Sequence, residues 1–348
     1  MMKRVGGLLP QIITYENLRL AWLKALRGKR KSNAVLLFSR NVDANIEKIK
    51  IRLESDNPDW GNYRSFTITD PKERIISAAP FPERVMHHAI MNVLEPCFER
   101  QLIHHTYACR KGKGTHAAVL YAFHQAKGKL WFLKLDVRKY FDSIDHQVLK
   151  CQISRLLKDP QLLNHLFLLI DSYHTLPGIG LPIGNLTSQY FANLYLSGLD
   201  HFILEQLGPS GYVRYMDDFV LWSDNKADLV ATFQKVEAYC LENLKLNLKP
   251  AILGQSKDGL PFLGFLIKTH GIYLLQKSKQ RMKKGAIAIE YELANGQIDE
   301  NKAAERSISM TAAVLLARCR SFRVTLWHGS RFGHEPRQTR WQLEQQCD

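Results

Sequence analysis

Two adjacent carboxylates, Asp217 and Asp218, interrupt an otherwise apolar, strand-forming run, Tyr212-Val213-Arg214-Tyr215-Met216-Asp217-Asp218-Phe219-Val220-Leu221-Trp222. Asp is depleted in strands, so the pair marks the tip of a tight hairpin with a strand on either side. Like charges held side by side need neutralising, and a divalent cation, which prefers hard oxygen ligands, is the usual means. An isolated Asp-Asp pair reads more simply as a polar turn. A second carboxylate motif upstream reverses that reading.

The upstream motif is Leu130-Trp131-Phe132-Leu133-Lys134-Leu135-Asp136, followed by Val137-Arg138-Lys139-Tyr140-Phe141-Asp142-Ser143-Ile144-Asp145. Residues 131–135 read as a buried strand, Asp136 falls at its end, and a helix-like stretch follows from Ser143. A strand end is a rigid mount for a ligand. Asp136 with Asp217 and Asp218 makes a three-carboxylate set on two strands. Such a set suits two Mg2+ ions about 3.5–4 Å apart, the arrangement used for in-line phosphoryl transfer. That chemistry demands positioning and charge neutralisation, both supplied by hard oxygen ligands.

The 348 residues are 45% hydrophobic, enough for a substantial core and two or three subdomains. Lys and Arg number 48 against 33 Asp and Glu, a formal net charge of +15. So large a surplus points to a polyanionic partner. The cations concentrate at Arg27-Gly28-Lys29-Arg30-Lys31, at Arg110-Lys111-Gly112-Lys113 and over Lys277–Lys284, candidate phosphate-tracking surfaces. Cysteines 97, 109, 151, 240, 319 and 347 form no CxxC pair, which implies reduced thiols and cytoplasmic residence. His87-His88 and His104-His105 lack zinc-site spacing with Cys. The apolar patch Val5–Pro10 is too short for a signal sequence. No apolar run reaches the roughly 20 residues that cross a bilayer, so no membrane partner is expected.

Periodicity predicts helices over Glu16–Leu26, Asn45–Leu53, Pro82–Glu99, Thr115–Ala126, Gln147–Leu157, Gln161–Ser172, Asn185–Leu207 and Asp228–Leu244, and a mostly helical segment from Lys277 to about Leu326. Tyr63–Thr69 and Arg74–Ala78 read as a hairpin turning at Asp70-Pro71. Gly178–Gly184 reads as a loop, and Leu246–Lys249 and Phe262–Ile267 as strand pieces flanking a turn at Asp258-Gly259. The polar segment after Gly329 is expected to fray.

Asp136 with Phe141, the glycine loop ahead of Ser188-Gln189, Tyr215-Met216-Asp217-Asp218 and Phe262-Leu263-Gly264-Phe265 stand in an order that resembles the motifs of reverse transcriptases. Arg74-Ile75-Ile76 through Gly112-Lys113-Gly114-Thr115-His116 resembles the finger motifs of the prokaryotic, group II intron-like branch. The resemblance runs from about Asn17 to about Trp327. Most members carry Gln-Gly and Ser-Pro pairs where this chain has Ile183-Gly184 and Ser188-Gln189. That departure resembles the enzymes of diversity-generating retroelements, which copy a template-repeat RNA with errors at adenines to diversify a variable gene. Retron-type and other prokaryotic defence reverse transcriptases are the alternative. A non-catalytic RNA-binding relative would be expected to have lost a metal carboxylate, and all three are present. A third reading is a subunit that assembles with RNA and a basic partner. The length is expected to leave no RNase H, endonuclease or maturase-sized extension.

The resemblance implies an α+β right hand with a small antiparallel palm sheet covered on one face by helices. Fingers (with part of the palm) would span 1–128, palm 129–275, and a small helical thumb with the C-terminal tail 276–348. It implies RNA-directed DNA polymerisation, with Asp136, Asp217 and Asp218 as catalytic metal ligands and the Val137 carbonyl as a further ligand. Two Mg2+ ions are implied, with Mn2+ able to substitute. The dNTP would meet Arg74, whose planar fork suits a triphosphate, together with Arg138, Lys139, Tyr140, Phe141, Ile183, Gly184 and Gln189. Phe141 matches the aromatic wall that excludes a 2′-hydroxyl. Ile183 replaces a hydrogen-bonding Gln, and lost polar readout implies weaker discrimination. Lys249 is the candidate general acid for departing pyrophosphate, and Leu263, Gly264 and Phe265 the primer grip, where a glycine lets backbone approach the strand. Implied partners are template RNA, a DNA or cDNA primer, dNTPs and a small basic accessory variability protein.

Overall fold

The computed structural model describes residues 3–69 and 73–327. The chain forms two compact units, the first within Met1–Ala118 and Leu133–Leu253, the second within Val119–Phe132 and Gly254–Asp348. Its mixed helix-and-sheet architecture is the α+β class expected.

In the first unit the central helix is Phe81–Glu99, which buries Val85, Met86, Ala89, Ile90, Leu94 and Phe98. Pro82 sits in its first turn, where the missing N–H costs nothing. Helices Tyr15–Ala25 and Leu186–Tyr195 pack against it. Thr14 starts the first of these by accepting the Asn17 N–H at 3.3 Å. Asp145 caps helix His146–Leu156 through the Val148 N–H at 2.9 Å.

Strands β1 (Arg64–Ile68) and β2 (Arg74–Ala78) form the expected antiparallel hairpin. The turn expected at Asp70-Pro71 lies outside the described residues, as do Cys347 and the segment after Gly329. A four-stranded sheet contains β3 (Trp131–Asp136), β4 (Gly211–Tyr215), β5 (Asp218–Ser223) and β6 (Ile252–Gln255), in the order β4-β5-β3-β6. Phe219, Val220, Leu221 and Trp222 are all fully buried. Successive strand residues point to opposite faces, so β5 is buried on both faces. Each such side chain stabilises the fold by about 1.5–3 kcal/mol, which makes this hairpin a stiff mount.

Two sequence expectations fail locally. Asn185–Leu207 is not one helix: it runs as Leu186–Tyr195, Ser197–His201 and a π-helical turn Phe202–Leu207 that ends at Gly208 with φ +57°. Leu246–Lys249 is not a strand. It follows helix Lys226–Leu244, which stops at Lys245 in the left-handed region, and meets β3's end through one bridge, Val137 to Leu248.

The second unit holds an antiparallel sheet of β7 (Leu260–Phe262), β8 (Phe265–Lys268) and β9 (Gly271–Leu274). Leu260, Phe262, Phe265, Ile267 and Leu274 are buried. Helices Gln276–Ala294, Glu300–Ala312 and Arg320–Trp327 follow. Met282, Ala286 and Ile289 form one buried stripe at helical spacing. The Trp327 indole N–H donates to Thr311 Oγ1 at 3.1 Å. Among the described residues no helix is long and apolar enough to cross a membrane.

Candidate active site

Asp136 ends β3, and Asp217 lies in the two-residue turn between β4 and β5, closed by the Tyr215–Asp218 pair. The Val137 N–H donates to the Asp217 carbonyl at 3.3 Å, joining the two carboxylate motifs by backbone. The segment Asn247–Lys249 lies along the end of β3: the Lys249 N–H reaches the Asp136 carbonyl and the Arg138 N–H the Asn247 carbonyl, each at 2.8 Å. Those bonds bring Lys249 Nζ to 2.6 Å from Asp136 Oδ1. Lys249, foreseen only through the family resemblance, thus stands in the carboxylate cluster.

Asp218 opens β5, and its Oδ2 is 3.0 Å from Lys134 Nζ. Lys134 precedes Asp136 by two residues, so both share one face of β3. Sequence reasoning passed over Lys134, although a Lys alternating with an Asp on a buried strand was the available signal. Burial pushes the Asp218 carboxyl up to about 7 against the pull of Lys134, with Asp136 and Asp217 adding repulsion. The Asp217 carboxyl is raised as well, by burial and by Asp136, while Lys249 and Arg74 oppose the rise. Asp218 Oδ1 is buried and has no hydrogen-bond partner. Half-buried, mutually repelling carboxylates with an orphaned oxygen are the donor set a hard cation satisfies. Among the described residues, no three His, Cys, Asp or Glu side chains stand at metal-binding distances from one another; Asp136 and Asp218 each pair with a lysine.

Arg74 begins β2, exposed, and its charge acts on Asp217. Arg138 and Lys139 are exposed, Lys139 at φ +45°. Tyr140 is buried, and its hydroxyl donates to the Ala192 carbonyl, so its side chain serves the core. Phe141 is half-buried, and its carbonyl accepts the Leu181 N–H at 2.8 Å. The loop that begins there crosses to the β1–β2 hairpin, where the Ile183 carbonyl accepts the Ser77 N–H at 2.9 Å. Gly184 takes φ +119°, and a Cβ there would meet Ile76 Cγ2 at 2.8 Å, so glycine is required. Gln189 is exposed and accepts from Cys109 Sγ at 3.4 Å.

In the second unit Leu263 and Gly264 form the turn between β7 and β8, at φ +48° and +88°. The Gly264 carbonyl accepts the Ser278 hydroxyl at 2.7 Å and the Leu275 N–H at 3.2 Å. Phe265 is buried in the sheet core.

The basic clusters divide. Arg110 is no phosphate contact: its Nε binds Glu99 at 2.7 Å and its guanidinium the Ile103 and Thr106 carbonyls. Lys111 pairs with Glu95 at 2.9 Å. Residues 27–31 are exposed, as are Lys277, Arg281, Lys283 and Lys284. His87 is buried beside Trp60, rings 5.5 Å apart, and burial pushes its pKa down to about 3.

The chain is similar to several known proteins. The family described as "Reverse transcriptase (RNA-dependent DNA polymerase)" matches residues 68–267. A 91 kDa protein in cob intron of Schizosaccharomyces pombe is 26% identical over 149 residues, 41% of this chain and 17% of that protein. Protein YkfC of Escherichia coli is 24% identical over 239 residues, 56% of this chain and 62% of that protein. Group II intron-encoded protein LtrA of Lactococcus lactis is 26% identical over 141 residues, 38% of this chain and 23% of that protein. The chain therefore covers less than two thirds of the length of each of these relatives. A solved apo telomerase from Candida tropicalis gives a TM-score of 0.47 at 13% identity, covering 62% of this chain and 55% of that one.

Proposed function

The chain belongs to the reverse transcriptase (RNA-dependent DNA polymerase) family, and we propose that it makes DNA on an RNA template by nucleotidyl transfer at Asp136, Asp217 and Asp218. The observation that carries this reading is the placement of those carboxylates: the Val137 N–H, next to Asp136, bonds the Asp217 carbonyl, and their charges repel one another. With the Val137 carbonyl they would hold Mg2+ or Mn2+, which activates a 3′-hydroxyl and neutralises a leaving pyrophosphate. Lys249, bonded to Asp136, stands where it can pass a proton to that leaving group. Arg74 supplies a planar fork for triphosphate oxygens. Phe141 forms the wall against the sugar edge, and the loop tied to its carbonyl carries Ile183 and Gly184 to the nucleotide. The backbone of Arg138, Lys139 and Tyr140 lines the same pocket, and Gln189 its helix side. Leu263, Gly264 and Phe265 grip the primer. Fingers, palm and thumb divide at 128/129 and 275/276.

The finer reading is a diversity-generating retroelement enzyme, cytoplasmic, error-prone at template adenines and working with a small basic accessory protein. Ile183 and Gln189 support it, since an apolar side chain replaces a polar check on the incoming base. The test is primer extension on a heteropolymeric RNA with sequencing of the cDNA, Asp217→Asn serving as control. Errors concentrated opposite adenines, reduced by Ile183→Gln, are expected. Evenly scattered or faithful synthesis would move the assignment to the retron-type or defence class.

A further inference from the structure

Arg214 lies in β4 among apolar neighbours and is wholly inaccessible to solvent, as is Asp200 on helix Ser197–His201. All five guanidinium N–H donors find acceptors. Nε donates to Asp200 Oδ1 at 2.7 Å. One terminal nitrogen donates to Asp200 Oδ2 at 2.6 Å and to the Asn193 carbonyl at 3.2 Å. The other donates to Asn193 Oδ1 at 3.2 Å and to the Met216 carbonyl at 2.9 Å. Asp200 is held in turn by the Tyr212 hydroxyl at 2.7 Å and Thr106 Oγ1 at 3.3 Å, and Asn193 by the Ala108 carbonyl at 2.7 Å.

The Met216 carbonyl belongs to the peptide that leads into Asp217. Met216 itself takes φ +58°, a conformation that non-glycine residues adopt only when their surroundings hold them there. Asp217 is thus fixed from both sides, by Arg214 on the preceding carbonyl and by Val137 on its own. A buried ion pair adds little stability over an apolar replacement, so stability alone does not account for a five-bond guanidinium in this strand. Lys could offer the charge but not the planar fork.

We propose that Arg214, seated on Asp200, is a positioning residue that orients the Met216–Asp217 peptide and so sets the Asp217 carboxylate for divalent-cation binding and catalysis. This rests on the polymerase reading above. The test uses the purified full chain and its Arg214→Lys and Asp200→Asn variants, with Asp217→Asn as reference. Three quantities are measured: Mn2+ binding by calorimetry, single-nucleotide extension of a DNA primer on RNA, and the thermal melt.

Arg214→Lys is expected to lower kcat by about 100-fold, the scale of a misplacement of about 1 Å. The dNTP KM should stay within about threefold, since a contact that orients the reacting group acts on kcat. Mn2+ binding should weaken in parallel, and Asp200→Asn should give a smaller loss of the same kind. A folded Arg214→Lys enzyme with unchanged kcat and unchanged Mn2+ binding overturns the proposal, as does one that melts earlier but keeps both, or one that changes KM alone. Should Arg214→Lys not fold, Asp200→Asn decides by the same criteria. Should the wild type not extend primers on RNA, the polymerase reading fails, and Mn2+ binding alone judges the positioning role. Binding lost in Asp217→Asn and weakened in Arg214→Lys upholds it; equal binding in wild type and Arg214→Lys removes it.

Discussion

The hairpins β4–β5 and β7–β8 each close on a two-residue turn whose first residue is a non-glycine at positive φ, Met216 at +58° and Leu263 at +48°. For an L-residue that conformation costs about 1–2 kcal/mol, and the two turns meet the cost differently. At β4–β5 the next residue is Asp217, and the Met216 carbonyl is held from the core by a fully buried guanidinium. At β7–β8 the next residue is Gly264, at φ +88°, whose carbonyl is held by the Ser278 hydroxyl and the Leu275 N–H. A turn that must aim a charged side chain is braced by a charged network, whereas a turn that presents backbone is braced by glycine and neutral hydrogen bonds. The first arrangement resists rotation of one carboxylate; the second leaves a surface without a Cβ.

The comparison breaks most visibly at the carboxylates. Asp217→Asn keeps the turn's shape and removes the charge, and steady-state extension on RNA should fall by on the order of 10³-fold or more. Residual activity near wild type would make the turn a structural element like its counterpart. Lys249→Met removes the Asp136 partner and the candidate proton donor, and a loss of about 100-fold in kcat is expected, with Lys249→Arg recovering the ion pair but not proton transfer. Equal kcat in Lys249→Met and the wild type would leave Lys249 with no role beyond its ion pair.

A pH series sharpens the electrostatic half. The folded Asp218 carboxyl titrates at about 7, above its ordinary value near 3.8, because burial disfavours the charge. The folded state therefore holds a proton that the unfolded chain has released, and stability falls as pH rises through this window. Without divalent ions the melting temperature should drop between pH 5 and pH 8. Asp218→Asn should flatten that slope, and Mg2+ should raise the melting temperature more at pH 8 than at pH 5. A flat wild-type profile would contradict the burial argument. The smallest effect belongs to the other turn. A Cβ at Gly264 would sit 3.0 Å from Ser278 Oγ at φ +88°, so Gly264→Ala should cost about 1 kcal/mol, read as a shift of a few degrees in the thermal melt. An unchanged melt would mean that this turn relaxes freely.

The carboxylates were legible because Asp is out of place between strand-forming runs, and a two-residue gap between apolar runs admits little besides a hairpin. Family resemblance supplied Lys249, whose location depends on two backbone bonds of a segment that looks like a strand but, among the described residues, makes one bridge. Arg214 and Asp200 went unread because their pairing joins a strand to a helix 14 residues away, a tertiary match that local pattern does not encode. The signal was nevertheless present: an Arg inside Tyr212-Val213-Arg214-Tyr215 is as anomalous as the Asp pair beyond it. The breaks in Asn185–Leu207 carry no proline, only Gly198, so helical periodicity ran through them. Arg110 looked like a phosphate contact because sequence shows charge but not that Glu99 neutralises it.

The most direct test of the central claim is single-turnover incorporation of one templated dNTP into a DNA primer annealed to RNA, with and without Mg2+, in wild type and Asp217→Asn. Magnesium-dependent incorporation by the wild type, lost in the variant while primer–template binding is retained, is the predicted result. Incorporation that survives Asp217→Asn, or a folded, RNA-binding wild type that incorporates nothing with Mg2+ or Mn2+, would contradict the account.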